Sequence, residues 1–192
     1  MKEEKGMTLT LNDWFDKGIP SKNYVEEMKQ HKEDLLHIYN AYTLPEDETF
    51  FSSLKEKKLR VIVLTEDWCG DAMMNTPILL HLAEKTDMEV RMLPRDQNLE
   101  LMDQYLTNGK SRSIPIFVFI DETGNEVAKW GPRAEPVQQF VDEVRKDLPA
   151  KEADDYKEKF NAMIQTMYGE FKSNETFWSY VYESMKSSLS DK

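Results

Sequence analysis

A single cysteine in 192 residues, Cys69, sets the first limits on this chain. One thiol cannot form an intrachain disulfide, which fits a reducing compartment. Without a second cysteine there is no zinc site of the usual kind, and the three histidines do not replace it. His31 and His37 are six positions apart, on different faces of one helix, and His81 stands alone. Glycine is sparse, at seven residues, and no glycine-rich phosphate loop is present. Basic residues are outnumbered, 25 Lys and Arg against 36 Asp and Glu, for a net charge of −11 and a pI near 4.8. No basic footprint for nucleic acid stands out, and an anionic membrane surface would repel the chain. No run of about 18 apolar residues is available to span a bilayer. Met1 to Met7 carry no apolar signal-peptide core, so the expected location is cytoplasmic. Asn174-Glu175-Thr176 would be a glycosylation acceptor only in a secreted protein. No internal repeat, low-complexity segment or Ser/His/Asp constellation is legible.

What is present is a soluble globular composition, 32% charged and 11% aromatic, in a chain long enough for one domain with extensions. The most informative stretch is residues 59 to 77. Leu59 to Leu64 is a short apolar, β-branched run, the pattern of a buried strand. It breaks at Glu66-Asp67, reaches Trp68-Cys69-Gly70, and continues as a helix carrying Ile78, Leu79, Leu80 and Leu82. A strand that feeds directly into a helix puts Cys69 at the helix N-terminus. Unpaired backbone N–H groups and the helix dipole there favour a thiolate. Glu66, Asp67 and Asp71 oppose it, because nearby negative charge disfavours ionisation.

These residues resemble the active-site turn of the thioredoxin superfamily, here a single-cysteine Trp-Cys-Gly-Asp-Ala turn. The likeness includes Pro77, eight residues after Cys69, and Ser113-Ile114-Pro115 further on. It extends to the apolar run Ile116 to Ile120, the Asp121-Glu122-Thr123-Gly124-Asn125 turn, a second short run and Gly131. The resemblance implies a helix kinked at Pro77, a cis-proline loop at Ile114-Pro115 facing the cysteine, and a terminal β-hairpin. It covers roughly residues 45 to 148. One departure stands out: Ala72 occupies the position of the family's second cysteine, so a dithiol–disulfide cycle within one chain cannot run.

The expected architecture is a thioredoxin-like α/β fold with a central mixed sheet of about four strands flanked by helices. The expected organisation is an N-terminal helical extension over 1–44, the thioredoxin-like domain over 45–148 and a C-terminal helical extension over 149–192. Within the first part, Thr10 and Asp13 cap a short helix, and Ser21 opens a longer one running to about Tyr42. Pro45 starts a helix ending near Lys57-Lys58. Met88 to Leu93 reads as a strand parallel to the first, Gln97 to Asn108 as a helix closed by Gly109, and Glu135 to Leu148 as the closing helix. Beyond Pro149, apolar residues recur at helical spacing from Tyr156 to Phe171 and again from Trp178 to Leu189. The plain reading is that these stripes pack within the chain; the sharper one is a homodimer or partner surface.

Cys69 is the candidate catalytic nucleophile, against the plain alternative of an inert small hydrophobe. Its turn favours an accessible thiol. The resemblance assigns substrate contact to Trp68, Gly70, Asp71, Ile114 and Pro115, with the Ile114 backbone pairing an extended substrate strand. Trp68 is either a shield for the sulfur or a plain core aromatic. Asp71 either steers protons and partners or complements the helix dipole. No metal ligands and no cofactor are called for. The function favoured, because Trp68, Cys69 and Pro115 persist together, is a monothiol thiol–disulfide oxidoreductase acting on a protein or low-molecular-weight thiol or disulfide and resolved by an external thiol; the alternative is a non-catalytic module binding a peptide or protein. A third borrows from monothiol glutaredoxins, in which one such cysteine per chain helps to hold an iron–sulfur cluster.

Overall fold

The strand Arg60–Thr65 (β2) is buried on both faces, and the molecule is layered around it. A computed structural model describes residues 8–190; the Met1 to Met7 stretch of the signal-peptide reading lies outside them. β2 pairs in parallel with Glu89–Pro94 (β3) and antiparallel with Ile116–Ile120 (β4), which pairs antiparallel with Glu126–Trp130 (β5). A fifth strand, Ile19–Pro20 (β1), adds antiparallel to the outer edge of β3, giving the order β1-β3-β2-β4-β5. The mixed sheet thus has the expected four strands and, with β1, a fifth. The two-residue β1 is too short to show as a hydrophobic pattern, and its proline is tolerated because it lies on an edge. Gly18 precedes it for steric reasons, since a Cβ there would sit 2.6 Å from the Arg91 Cβ.

Side chains alternate along β2. Val61 and Val63 point into the larger core and Ile62 and Leu64 into the smaller one. A strand covered on both sides reads as a continuous apolar run, which is why it was legible. The helix Gly70–Lys85 (α5) crosses from β2 to β3 and lays Met74, Ile78, Leu79 and Leu82 in the larger core. The smaller core is covered by Leu11–Lys17 (α1), through Trp14 and Phe15, and by the one-turn helix Leu99–Met102 (α6). Among the described residues, the remaining helices are Ser21–Glu27 (α2), Lys32–Ala41 (α3), Glu48–Glu56 (α4), Glu135–Arg145 (α7), Tyr156–Ser173 (α8) and Glu175–Ser190 (α9).

Three helices differ from their sequence pattern. Ser21 to Tyr42 is two helices, because the chain breaks at 28–31 with His31 at φ 56°. The break has a tertiary cause: the Asp67 carboxylate accepts the N–H groups of Lys29 and Gln30, at 2.8 and 3.2 Å. α4 starts at Glu48 rather than Pro45, since Asp47 caps it by accepting the Phe50 N–H. The 97–108 helix shrinks to a 3-10 turn at Arg95–Gln97 and α6. Beyond α6 the chain doubles back, with Thr107 and Ser111 exchanging backbone hydrogen bonds and Asn108 and Gly109 at positive φ. Arg112 closes this loop onto Asp103 with two hydrogen bonds.

α8 and α9 pack on α3, α5, α7 and β5. Met163, Met167, Phe171, Trp178, Val181, Tyr182, Met185 and Leu189 are all buried in the larger core. Most of the apolar surface that a homodimer through these helices would use is therefore spent within the chain. The Trp178 indole N–H donates to the Phe171 carbonyl at 2.9 Å, tying the two helices together. Trp178→Ala should cost about 3–5 kcal/mol. Denaturant unfolding followed by circular dichroism checks this, and a loss below 1 kcal/mol would mean that α9 is only loosely docked.

Candidate functional site

The link from β2 to α5 is four residues long, and Cys69 ends it as the N-cap of α5, at φ −83° and ψ 115°. Its sulfur accepts the Ala72 N–H at 3.4 Å, and the thiol donates to the Ile114 carbonyl at 3.5 Å. The Ile114-Pro115 peptide bond is cis, and so is Gly131-Pro132. The two loops abut: a Cβ on Gly131 would lie 2.2 Å from the Pro115 carbonyl oxygen, and Gly131 has φ 122°. Only glycine fits there.

The acids around the sulfur have separate partners. Glu66 accepts the Asp96 N–H at 2.8 Å, and Asp67 holds the 28–31 loop. Asp71 forms a bidentate pair with Arg133, at 2.6 and 2.7 Å, and Arg133 also donates to Gln138 at 2.9 Å. The pair is largely buried, with 14% and 13% of the two side chains exposed. Burial raises the Asp71 pKa against the pull of Arg133.

Cys69 is only 7% exposed, in contrast to the accessible thiol its turn suggests. Burial pushes its pKa up to about 12, the Asp71 charge adds to this, and the Ala72 and Asp71 N–H groups and Arg133 oppose it. Desolvation therefore outweighs the helix terminus. Trp68 does not provide the cover. It is 41% exposed and outside both cores, with the Arg95 guanidinium 5.1 Å from its ring centre. Cys69 is packed in the smaller core, and α8 and the 28–31 loop close over the turn beside it. A Cβ on Gly70 would lie 2.1 Å from the Tyr168 ring, so this turn needs glycine beneath α8. His31 meets Tyr168 edge-on at 5.1 Å, joining the loop to the helix. Beneath the sulfur, Tyr24, Met28, Leu35 and Thr65 enclose a space too small for water.

Cys69, Gly70, Asp71, Ile114 and Pro115 are thus gathered at one place, and Trp68 stands beside it facing solvent. Ala72, in the second-cysteine position, is buried and inert. Arg133, Tyr168 and the loop-holding role of Asp67 had no legible signal. Arg133 is one of 25 basic residues, and Tyr168 belongs to an apolar stripe indistinguishable from ordinary packing. Among the described residues, no group of three or more His, Cys, Asp or Glu side chains converges as a metal site. As folded, the Cys69 sulfur is covered, so a cluster held between two chains would need that cover to open. No helix among the described residues is long and apolar enough to cross a membrane.

The family model described as "Thioredoxin" matches residues 18–145, more than half of the chain. Two solved structures share the fold. One, a protein of unknown function from Pseudomonas aeruginosa, aligns with a TM-score of 0.61 at 16% identity, covering 86% of this chain and 96% of its own. The other, an HIV epitope-scaffold, aligns with a TM-score of 0.64 at 15% identity, covering 96% and 99%. No curated protein matches the chain. The chain belongs to the thioredoxin family.

Two outcomes follow from the geometry. In the folded protein at pH 8, Cys69 should react with iodoacetamide about 10³-fold more slowly than an unperturbed thiol of pKa 9.0. Labelling at the free-thiol rate would show an open sulfur. The sign for stability is fixed too: the fold holds this proton more tightly, so the contribution is full below the ordinary thiol value of 9.0 and lost as pH rises towards about 12. For the ion pair, Arg133→Met alone should cost about 3–5 kcal/mol by stranding a buried carboxylate, and adding Asp71→Asn should recover much of it. Denaturant unfolding of the singles and the double checks this; additive losses would mean that the two side chains are not coupled.

Proposed function

We propose that this member of the thioredoxin family is a monothiol thiol–disulfide oxidoreductase acting through Cys69, in a form in which α8 and the 28–31 loop have drawn back from the sulfur. The observation that carries the reading is the sulfur's position, capping α5 and hydrogen-bonded to the carbonyl just before Pro115. In the uncovered form water reaches the sulfur, the desolvation cost falls, and the helix N-terminus stabilises the thiolate. Asp71 stays paired with Arg133, so it presents less net negative charge to the developing thiolate.

The exchange proceeds in two steps. The Cys69 thiolate attacks one sulfur of a mixed disulfide between a protein and a low-molecular-weight thiol. A Cys69–small-thiol disulfide forms, and the protein thiolate leaves and takes a proton. A second small thiol then attacks that adduct through its thiolate, releasing a small-molecule disulfide and restoring Cys69. Electrons come from the external thiol, as they must when Ala72 stands where a resolving cysteine would be. Ile114 and Pro115 line the approach, Gly70 keeps the turn free of side chain, and Trp68 offers exposed apolar area beside it.

The second reading, a non-catalytic binding module for a peptide or protein, is favoured by one observation: as folded, Cys69 is buried, which raises its pKa. The deciding experiment supplies a peptide carrying a mixed disulfide with a small thiol, then free small thiol, and follows Cys69 by mass spectrometry. The oxidoreductase reading expects transfer of the small thiol to Cys69, its removal by free thiol, and no turnover with Cys69→Ser. A Cys69 that never takes up the small thiol, even when mild denaturant loosens the cover, would overturn it in favour of the binding module.

A further inference from the structure

On the far side of the Gly131 loop lies a cleft of about 370 Å³, walled by the 105–108 loop, by edge strand β5 and by α9. Such a volume is in the range of small-molecule sites. Its lining includes two cations, Lys129 and Arg133, and no carboxylate, in a chain where acids exceed bases by 36 to 25. The hydrogen-bond inventory is skewed the same way. Arg133 has five N–H groups. The bonds to Asp71 and Gln138 use one each on Nε, Nη1 and Nη2, leaving one on each terminal nitrogen. Ser184 accepts the Trp130 indole N–H at 2.8 Å and keeps its own proton to donate. Among the described residues the Thr107 hydroxyl and Asn108 amide have no hydrogen-bond partner, and the Lys129 ammonium, 5.8 Å from the Tyr105 ring centre, has no ion pair. Of the acids close by, Glu126 accepts the Tyr105 hydroxyl at 2.7 Å and Asp71 is held by Arg133, and neither lines the cleft.

The walls are held in place before anything binds. Thr107 and Ser111 lock the loop through two backbone hydrogen bonds. Trp130 is pinned to α9, and the Asp71 pair sets the direction of Arg133. A cleft with two cations, several hydroxyl and amide donors and no carboxylate in its lining suits an oxyanion, and held walls lower the cost of ordering it. The net charge of −11 disfavours a polyanion, which restricts the occupant to something small.

We propose that this cleft binds a small oxyanion, the carboxylate or phosphate group of a low-molecular-weight compound, with Lys129 as its charged anchor and Ser184, Thr107 and Asn108 as neutral donors. Cys69 does not line the cleft, and anion binding there does not depend on the exchange chemistry.

The test follows the Trp130 indole N–H by NMR while the isotopically labelled protein is titrated with sodium phosphate or with sodium succinate, at ionic strength held constant with sodium chloride. The expected result is a saturable shift with at least one of them, half-complete at a few millimolar or below, with affinity at least tenfold weaker in Lys129→Ala and retained in Lys129→Arg. Saturation by phosphate alone or by succinate alone identifies which group the cleft takes. No saturable shift with either anion, or an unchanged midpoint in Lys129→Ala, would overturn the proposal. Neither a thiol nor a disulfide enters the measurement, so its result stands apart from that of the exchange assay.

Discussion

Burial of β2 on both faces and along both edges is the constraint from which the site follows. A strand flanked by β3 and β4 and covered by two cores has no freedom of register, because a one-residue slip would exchange the side chains of the two cores. The direction in which it ends is therefore set, and with it the point where α5 begins. Cys69 inherits that position. The loop carrying Ile114 and Pro115 is placed just as firmly, since β4 starts directly after it and pairs with β2. The sulfur and the carbonyl that accepts its hydrogen bond are brought together by one pair of strands.

The chain then adds something beyond the sheet. Elements from both ends converge on the turn: the 28–31 loop, pulled in by Asp67, and α8, which lays Tyr168 over Gly70. The sulfur is buried beside them, and burial is the largest influence on the thiol's pKa. A helix N-terminus stabilises a thiolate by an amount that falls within a single turn of the helix, whereas desolvation acts on the whole charge. Of the acids near the sulfur, Glu66 and Asp67 hold backbone N–H groups, while Asp71, though paired with Arg133, still adds to the rise in the thiol's pKa. Reactivity at Cys69 is thus a matter of access first and local charge second.

Much of this was legible because it was local. The strand, the turn, the helix after it and the Ile114-Pro115 loop are contiguous segments whose pattern needs no partner to interpret. The 97–108 segment misled for the opposite reason. Its helical composition was real, but α6 ends after one turn where Thr107 and Ser111 pair across a loop. The long helix from Ser21 failed in the same way, since the carboxylate that breaks it lies some forty residues further on.

By itself, the sequence determined the thioredoxin-like order of elements, the single thiol at the start of α5, and the absence of a second cysteine to resolve it. These follow from periodicity, turn residues and a count, all properties of neighbouring positions. Tertiary structure alone decided that the thiol is covered, that Asp71 answers to Arg133 rather than to the helix dipole alone, and that Trp68 faces solvent. Each depends on groups brought together from distant parts of the chain, and burial, which sets both the protonation of Cys69 and the cost of its charge, exists only once they are packed.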